Sequence, residues 1–154
     1  MNAVNRDEDI WSPQGPATVL SEDNCWAILE KRSFGRVGLS ADNQPEIFPV
    51  DYAVTEREVV FRTADGTKLR HLTANSAVAF EVDERDGEDA WSISLRGTAR
   101  VLHDPTQIRR VEQLSWPDWV PTQTYVYVAI DPHIISGRRI SRHVHATRRS
   151  ETSE

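Results

Sequence analysis

The sequence predicts a mainly β domain of the α+β class: a closed antiparallel barrel of six or seven strands with short peripheral helices. Three observations point there. Short runs alternate apolar and polar residues along most of the 154-residue chain, as half-buried strands do. Polar turn segments, Ala41-Asp42-Asn43-Gln44 and Thr55-Glu56-Arg57-Glu58 among them, separate these runs at close intervals. Helical periodicity is confined to three short stretches, without the strand–helix alternation of a doubly wound parallel sheet.

The elements follow in order. Residues 1–16 hold Pro13, Gly15 and Pro16 with little periodicity and read as an irregular arm before one domain over 17–142. Ser21 has the character of an N-cap, with Glu22 and Asp23 where acids suit the helix dipole, and Cys25, Trp26, Ile28 and Leu29 form an apolar stripe up to about Arg32. Phe34, Val37 and Leu39 mark a first strand, Ile47 to Val54 a second and Val59 to Thr63 a third. Pro49 lacks an N–H, so the second strand meets an edge or a ligand there. A turn at Asp65-Gly66 leads into a short helix over 67–74, marked by Leu69 and Leu72. Ala77 to Val82 reads as a strand, Asp83 to Asp89 as a charged loop, and Trp91 to Val101 as the longest strand. Gly97 inside that strand predicts a bulge or a close approach by another backbone or ligand. Pro105 opens a helix to about Leu114, and Trp116-Pro117-Asp118-Trp119-Val120-Pro121 forms a rigid aromatic loop. Tyr125 to Ile130 is a strand, and Ile134 to Ile140 resumes pairing after a break at Pro132. Residues 143–154 read as a disordered tail.

Composition narrows the function. Hydrophobic residues at 38% and charged residues at 27% describe a soluble globular domain. A net charge of −6 argues against nucleic-acid binding, which needs a basic face. The single cysteine, Cys25, cannot form an intrachain disulfide and falls on the apolar face of its helix, as a buried inert thiol does. The polar, acidic start is no signal peptide, and no apolar run has the length of a membrane span. A cytoplasmic protein without membrane or nucleic-acid partners is the expectation.

The chemistry-bearing segment is Phe61-Arg62-Thr63-Ala64-Asp65-Gly66-Thr67-Lys68. A strand ends, a glycine turn follows, and Thr67 and Lys68 fall where a helix begins. Unpaired N–H groups, the positive end of the dipole, a lysine and hydroxyls together make an anion site, best suited to a phosphate ester. No Ser-His-Asp order, complete phosphate loop or paired zinc motif appears.

The succession Gly35-Arg36-Val37-Gly38-Leu39, Pro45 to Tyr52, Phe61-Arg62-Thr63 with Gly66-Thr67-Lys68-Leu69, Val78 to Asp83 and Trp91 to Ala99 resembles the pyridoxamine 5′-phosphate oxidase-like family of flavin-binding split barrels, over roughly residues 20–140. The resemblance implies a homodimer with flavin mononucleotide (FMN) in two grooves between subunits. It places Pro49, Val50, Asp51 and Tyr52 along the ring edge. Phe61, Arg62, Thr63, Gly66, Thr67 and Lys68 would hold the ring and phosphate, with Trp91, Ser92 and Arg138 lining the groove. The chain lacks the substrate-contacting C-terminal segment of the true vitamin B6 oxidases. Relatives of the smaller type include flavin reductases, deazaflavin users and haem-handling proteins, so deazaflavin and haem stand as alternative ligands. The expected activity is an FMN-dependent oxidoreductase acting on a small planar substrate, or else a non-catalytic flavin- or haem-binding protein.

No single catalytic group stands out. Asp51 and Tyr52 either face the flavin or complete strand packing. His71, one turn past Thr67, is a surface or interface histidine or a proton donor. Arg138-Arg139 is an anion-binding pair or a solvated strand end. Trp116 and Trp119 are a lid, a dimer contact or core. His143 and His145 share a strand face, but with no acidic or cysteine ligand nearby no metal site is expected.

Overall fold

Eleven elements follow one another along the chain: β1 (Glu8–Ser12), β2 (Gly15–Leu20), α1 (Glu22–Glu30), β3 (Phe34–Ala41), β4 (Gln44–Thr55), β5 (Glu58–Thr63), α2 (Gly66–Ala74), β6 (Ala77–Asp86), β7 (Asp89–Val101), α3 (Pro105–Glu112) and β8 (Val126–Ser141). This computed structural model describes residues 7–12, 15–64, 66–117 and 125–141. The sheet order is β1-β2-β8-β5-β4-β3-β6-β7, and a further β8–β7 pairing closes six of the strands, β3 to β8, into a barrel. All pairings are antiparallel.

The long strand β8 makes the barrel split. Its first part, Val126 to Ile130, pairs with β5, and Gly137 to Arg139 pair with β2. Along Val128 to Ser141 its other side stays on β7. Pro132 lies between the β5 and β2 pairings, next to a register shift against β7 that skips His133, and the strand continues through it. The predicted break is therefore a single continuous strand.

The inward side chains form the core. Val37, Tyr52, Val59, Phe61, Phe80, Ile93, Leu95, Val128 and Ile130 are all buried within the barrel, and Cys25, Trp26 and Leu29 of α1 join them. A second, smaller cluster lies outside the barrel wall, where α3 packs Val111 against Val60, Leu102, Tyr127 and Ala129. The starts of α1 and α3 are built as their residues demand. The Ser21 hydroxyl accepts from the Asn24 N–H at 3.2 Å, and the Asp104 carboxylate from the Thr106 N–H at 2.9 Å ahead of Pro105.

Two further expectations change. The irregular arm holds a hairpin, β1 on β2, which Asp7 ties to α1 by accepting from the Ser21 N–H at 2.6 Å and from the Asn24 side chain. The charged loop over 83–89 is the tip of the β6–β7 hairpin, paired down to Asp86–Asp89. Solvent surrounds both faces of that tip, so it carries no apolar alternation. The tail over 143–154 lies outside the described residues.

Gly97 satisfies both of its readings. The β7–β8 register shifts between Arg96 and Gly97, and a Cβ on Gly97 would stand 2.2 Å from the Asp131 carbonyl oxygen. Gly38 has room, its nearest neighbour being the Ala79 Cβ at 3.7 Å. Gly97→Ala is therefore expected to cost roughly 1–3 kcal/mol of stability in urea unfolding, the scale of overpacking. Gly38→Ala should cost less than a third of that.

Candidate functional site

Strand β4 is twice as long as β5, and their ladder runs only from Tyr52–Phe61 to Thr55–Glu58. Beyond Tyr52 the two strands part. From Asp51 back to Gln44, β4 stays paired with β3 but has no strand partner on its other side among the described residues. This fork leaves backbone N–H and C=O groups without a strand to receive them. Pro49 lies on this open stretch, as its missing N–H suggests.

Alternation along β4 and β5 decides which side chains the fork can use. Val50 and Tyr52 point into the core, and so does Phe61, edge to face with Phe48 at 6.3 Å between ring centroids. The Tyr52 hydroxyl donates to the Leu29 carbonyl at 2.8 Å, and burial pushes its pKa above the usual phenol range. The side chains of Val50, Tyr52 and Phe61 are core, so only their backbone can meet a ligand. Pro49, Asp51 and Arg62 point outward.

Arg62, which the resemblance has hold the ring and phosphate, is enclosed. Its side chain is 9% exposed, its guanidinium carbon lies 4.3 Å from the Tyr125 ring centroid and 4.9 Å from that of Trp116, and one NH2 group donates to the Pro117 carbonyl at 2.7 Å. Asp51 stands 3.6 Å away across the fork. Thr63 is buried.

Lys68 stands at the start of a helix, where the strand–turn–helix order placed it. In the first turn of the nine-residue helix α2, it sets its ammonium 4.2 Å from the Phe48 ring centroid, against β4, with no carboxylate in ion-pair reach among the described residues. Gly66 and Thr67 belong to the same turn, but their side chains lie outside the described residues. His71, further along α2, has its Nδ1 3.2 Å from a Glu46 carboxylate oxygen. Phe48 and Glu46, partners of the two α2 residues, were missed in sequence. The parity of Phe48 with Val50 and Tyr52 was the available signal for the first.

The other expected groove residues sit elsewhere. Ser92 and Arg138 are cross-strand partners on the outer face of β7 and β8, where with Trp91, Arg85 and Ile140 they line a cleft of about 470 Å³. Neither Ser92 nor Arg138 stands beside Asp51: β7 makes no pairing with β4, and Arg138 lies beyond the part of β8 that pairs with β5. Arg32 stacks on the Trp91 ring at 5.5 Å. Arg139 alternates to the opposite face from Arg138, so the two do not act as a pair. Trp116 belongs to the α3 cluster, its indole N–H donating to the Val111 carbonyl at 2.7 Å. Trp119, His143 and His145 lie outside the described residues. No helix among the described residues is long and apolar enough to cross a membrane.

A family model for pyridoxamine 5′-phosphate oxidase matches residues 21–139. The chain belongs to this family. Its barrel, closed by β8 and split at the β4–β5 fork, is the family's split barrel. An uncharacterised protein of Mycobacterium tuberculosis is 33% identical over 138 residues, 84% of this chain and 90% of that protein. Among solved structures, a candidate pyridoxamine 5′-phosphate oxidase from Corynebacterium glutamicum is 35% identical with a TM-score of 0.75, covering 82% of this chain and 99% of that one. An FAD binding protein from Mycobacterium smegmatis is 37% identical with a TM-score of 0.70, covering 80% and 98%.

Cys25 has no place in the site of this family member. It is fully buried, and burial, reinforced by Asp7 and Glu22, pushes its thiol up to about 11 from 9.0. The unfolded chain releases that proton at lower pH than the folded chain, so stability is complete below pH 9 and falls as the pH rises toward 11. In urea unfolding at a series of pH values from 8 to 11, Cys25→Ala is expected to lose less stability across the range than the wild type.

Proposed function

We propose that this chain is a flavin-binding oxidoreductase of the pyridoxamine 5′-phosphate oxidase family, a homodimer that takes a small planar substrate against its cofactor. The observation that carries this reading is the open fork between β4 and β5 with Lys68 beside it. The donor set fits a flavin nucleotide. The unpaired β4 edge offers alternating donors and acceptors to a flat heterocyclic rim. The Lys68 ammonium at the start of α2, where the helix dipole is positive, suits a phosphate. A bound flavin supplies the hydride and electron chemistry, which leaves the protein to bind, orient and exclude water. That division suits a fork where the Tyr52 hydroxyl is spent on the Leu29 carbonyl.

One phosphate site favours the mononucleotide, whereas the FAD-binding relative from M. smegmatis favours the dinucleotide. Mass spectrometry of the cofactor released from the purified protein decides between them, with FMN the expected result. FAD, deazaflavin or haem at full occupancy would overturn it. Reduction of the bound flavin by a nicotinamide donor and reoxidation by an organic acceptor would support catalysis. A colourless protein that takes up haem and ignores flavin would leave only a binding role. Lys68→Met keeps the cover on Phe48 and removes the charge. It is expected to weaken FMN by roughly 1.5–3 kcal/mol, the scale of a charged hydrogen bond, and to leave riboflavin, which lacks the phosphate, unchanged.

The dimer reading rests on the outer sheet face. Ile47 is 75% exposed, Phe34 53% and Ile134 38%. Ile47 and Ile134 line a cleft of about 350 Å³ with Gly38, Ala79, Ser94 and Arg96. A two-fold partner on this face would cover its apolar groups and bring a second Ser92 and Arg138 toward the fork, which one chain holds apart. The combined substitution Ile47→Glu and Ile134→Glu is expected to give a monomer in sedimentation equilibrium, with its thermal unfolding still cooperative. A monomeric wild type would refute the dimer.

A further inference from the structure

We propose that Arg62 is a positioning residue of the flavin site, and that through it Asp51 presents its carboxylate to the imide N–H of the flavin ring. This rests on the flavin reading above and assigns two side chains within it.

Arg62 is the outward residue near the end of β5, where an arginine is ordinarily solvated. Here two aromatic faces and a carbonyl enclose it. Tyr125 and Trp116 lie against the guanidinium at 4.3 and 4.9 Å, and the Pro117 carbonyl accepts one N–H at 2.7 Å. The Nε atom is buried with no hydrogen-bond partner among the described residues. A charge this enclosed persists where an opposite charge compensates it, and the compensating group is Asp51. The cage also removes Arg62 from competition for a phosphate, which leaves that task to Lys68.

The Asp51 side is the informative one. Its side chain is 12% exposed, and its Oδ2 lies 3.6 Å from the Arg62 nitrogen, an ion-pair distance beyond hydrogen-bond length. The guanidinium therefore holds the carboxylate in place without using its lone pairs. No other donor among the described residues reaches them. Asp51 also stands at the first position where β4 loses its β5 partner. An acceptor held rigid at the root of an open strand edge fits a planar ring that presents one N–H between two carbonyls. The carboxylate would take the N–H, and the β4 backbone would serve the carbonyls. Arg62 meanwhile offsets the negative charge of Asp51 beside a ring that must accept electrons.

The test uses the ring alone, so that Lys68 plays no part. Lumiflavin and its N3-methyl derivative are titrated by fluorescence into the wild type, Asp51→Ala, Arg62→Met and Arg62→Lys. The wild type is expected to prefer lumiflavin by at least about tenfold, the scale of one hydrogen bond to a charged group. Asp51→Ala should bring the ratio near one. Arg62→Met should remove most of it although Asp51 remains, which a merely structural arginine would not do. Where Arg62→Met fails to melt cooperatively, Arg62→Lys reads the same effect. It keeps the charge, loses the planar stack, and should show less than half the wild-type ratio. Equal binding of the two rings by the wild type overturns the Asp51 contact and leaves the flavin reading standing. An unchanged ratio in a folded Arg62 variant overturns the positioning role. A wild type that binds neither ring, and carries no flavin as purified, overturns the flavin reading and this proposal with it.

Discussion

The structure depends on β8 changing neighbours while never leaving β7. It begins against β5, gives that strand up after Ile130, and takes β2 at Gly137. Closing the barrel this way ties β5 to the first part of β8 only. β4 is not so limited, because β3 follows it to Gln44. The fork at Asp51 and Arg62 is the place where these two lengths cease to match. The same route demands close backbone contact. Gly97 lets β7 pass the Asp131 carbonyl, and a Cβ at Gly137 would meet the Cys25 sulfur at 2.7 Å. The residues that allow the barrel to close are thus distant from the fork that its closure creates.

Strand alternation then divides the side chains between folding and function. Val50, Tyr52 and Phe61 are committed to the core, and Tyr52 also satisfies a carbonyl of α1. At the fork, what remains for a ligand is the outward set, Pro49, Asp51 and Arg62, together with the open backbone of β4 and the start of α2. This set offers a hydrogen-bonding edge, one carboxylate and one enclosed cation. On the proposed flavin reading, such a site suits a protein that would delegate its reactivity to the cofactor.

Much of the fold was legible because period-two alternation and turn chemistry are local signals. The turns at Asp42-Asn43 and Glu56-Arg57, all four residues with positive φ, are hairpin turns where the polar segments suggested them. The hairpin over 8–20 was missed because Pro13 and Pro16 break its pattern, and its register is held by Asp7 reaching across to α1. The β6–β7 tip was missed because a strand pair with solvent on both faces has no apolar side to betray it. In the site, Lys68 was legible from the strand–turn–helix order. The burial of Tyr52 and Phe61 could have been read from parity. The fate of Arg62 could not, because Trp116 and Pro117 lie more than fifty positions away, and a contact at that separation has no local signature.

Two cations of the same segment therefore end in opposite roles. Lys68 rests on one ring with no carboxylate in ion-pair reach among the described residues, and Arg62 is enclosed between two rings with Asp51 beside it. The difference arises in the small cluster outside the barrel. Burial of Val60, Leu102, Val111, Tyr127 and Ala129 fixes α3 against β5 and β8, and with it Trp116, whose indole N–H is bonded back to α3. Guanidinium stacks readily on aromatic faces because it is planar and weakly hydrated, whereas an ammonium keeps its hydration and stays at the rim. Apolar packing on the outer face of β5 thus sets the position of a charge at the fork. The placement of α3 and the geometry of the candidate site are in this way one structural problem, solved by the same few side chains.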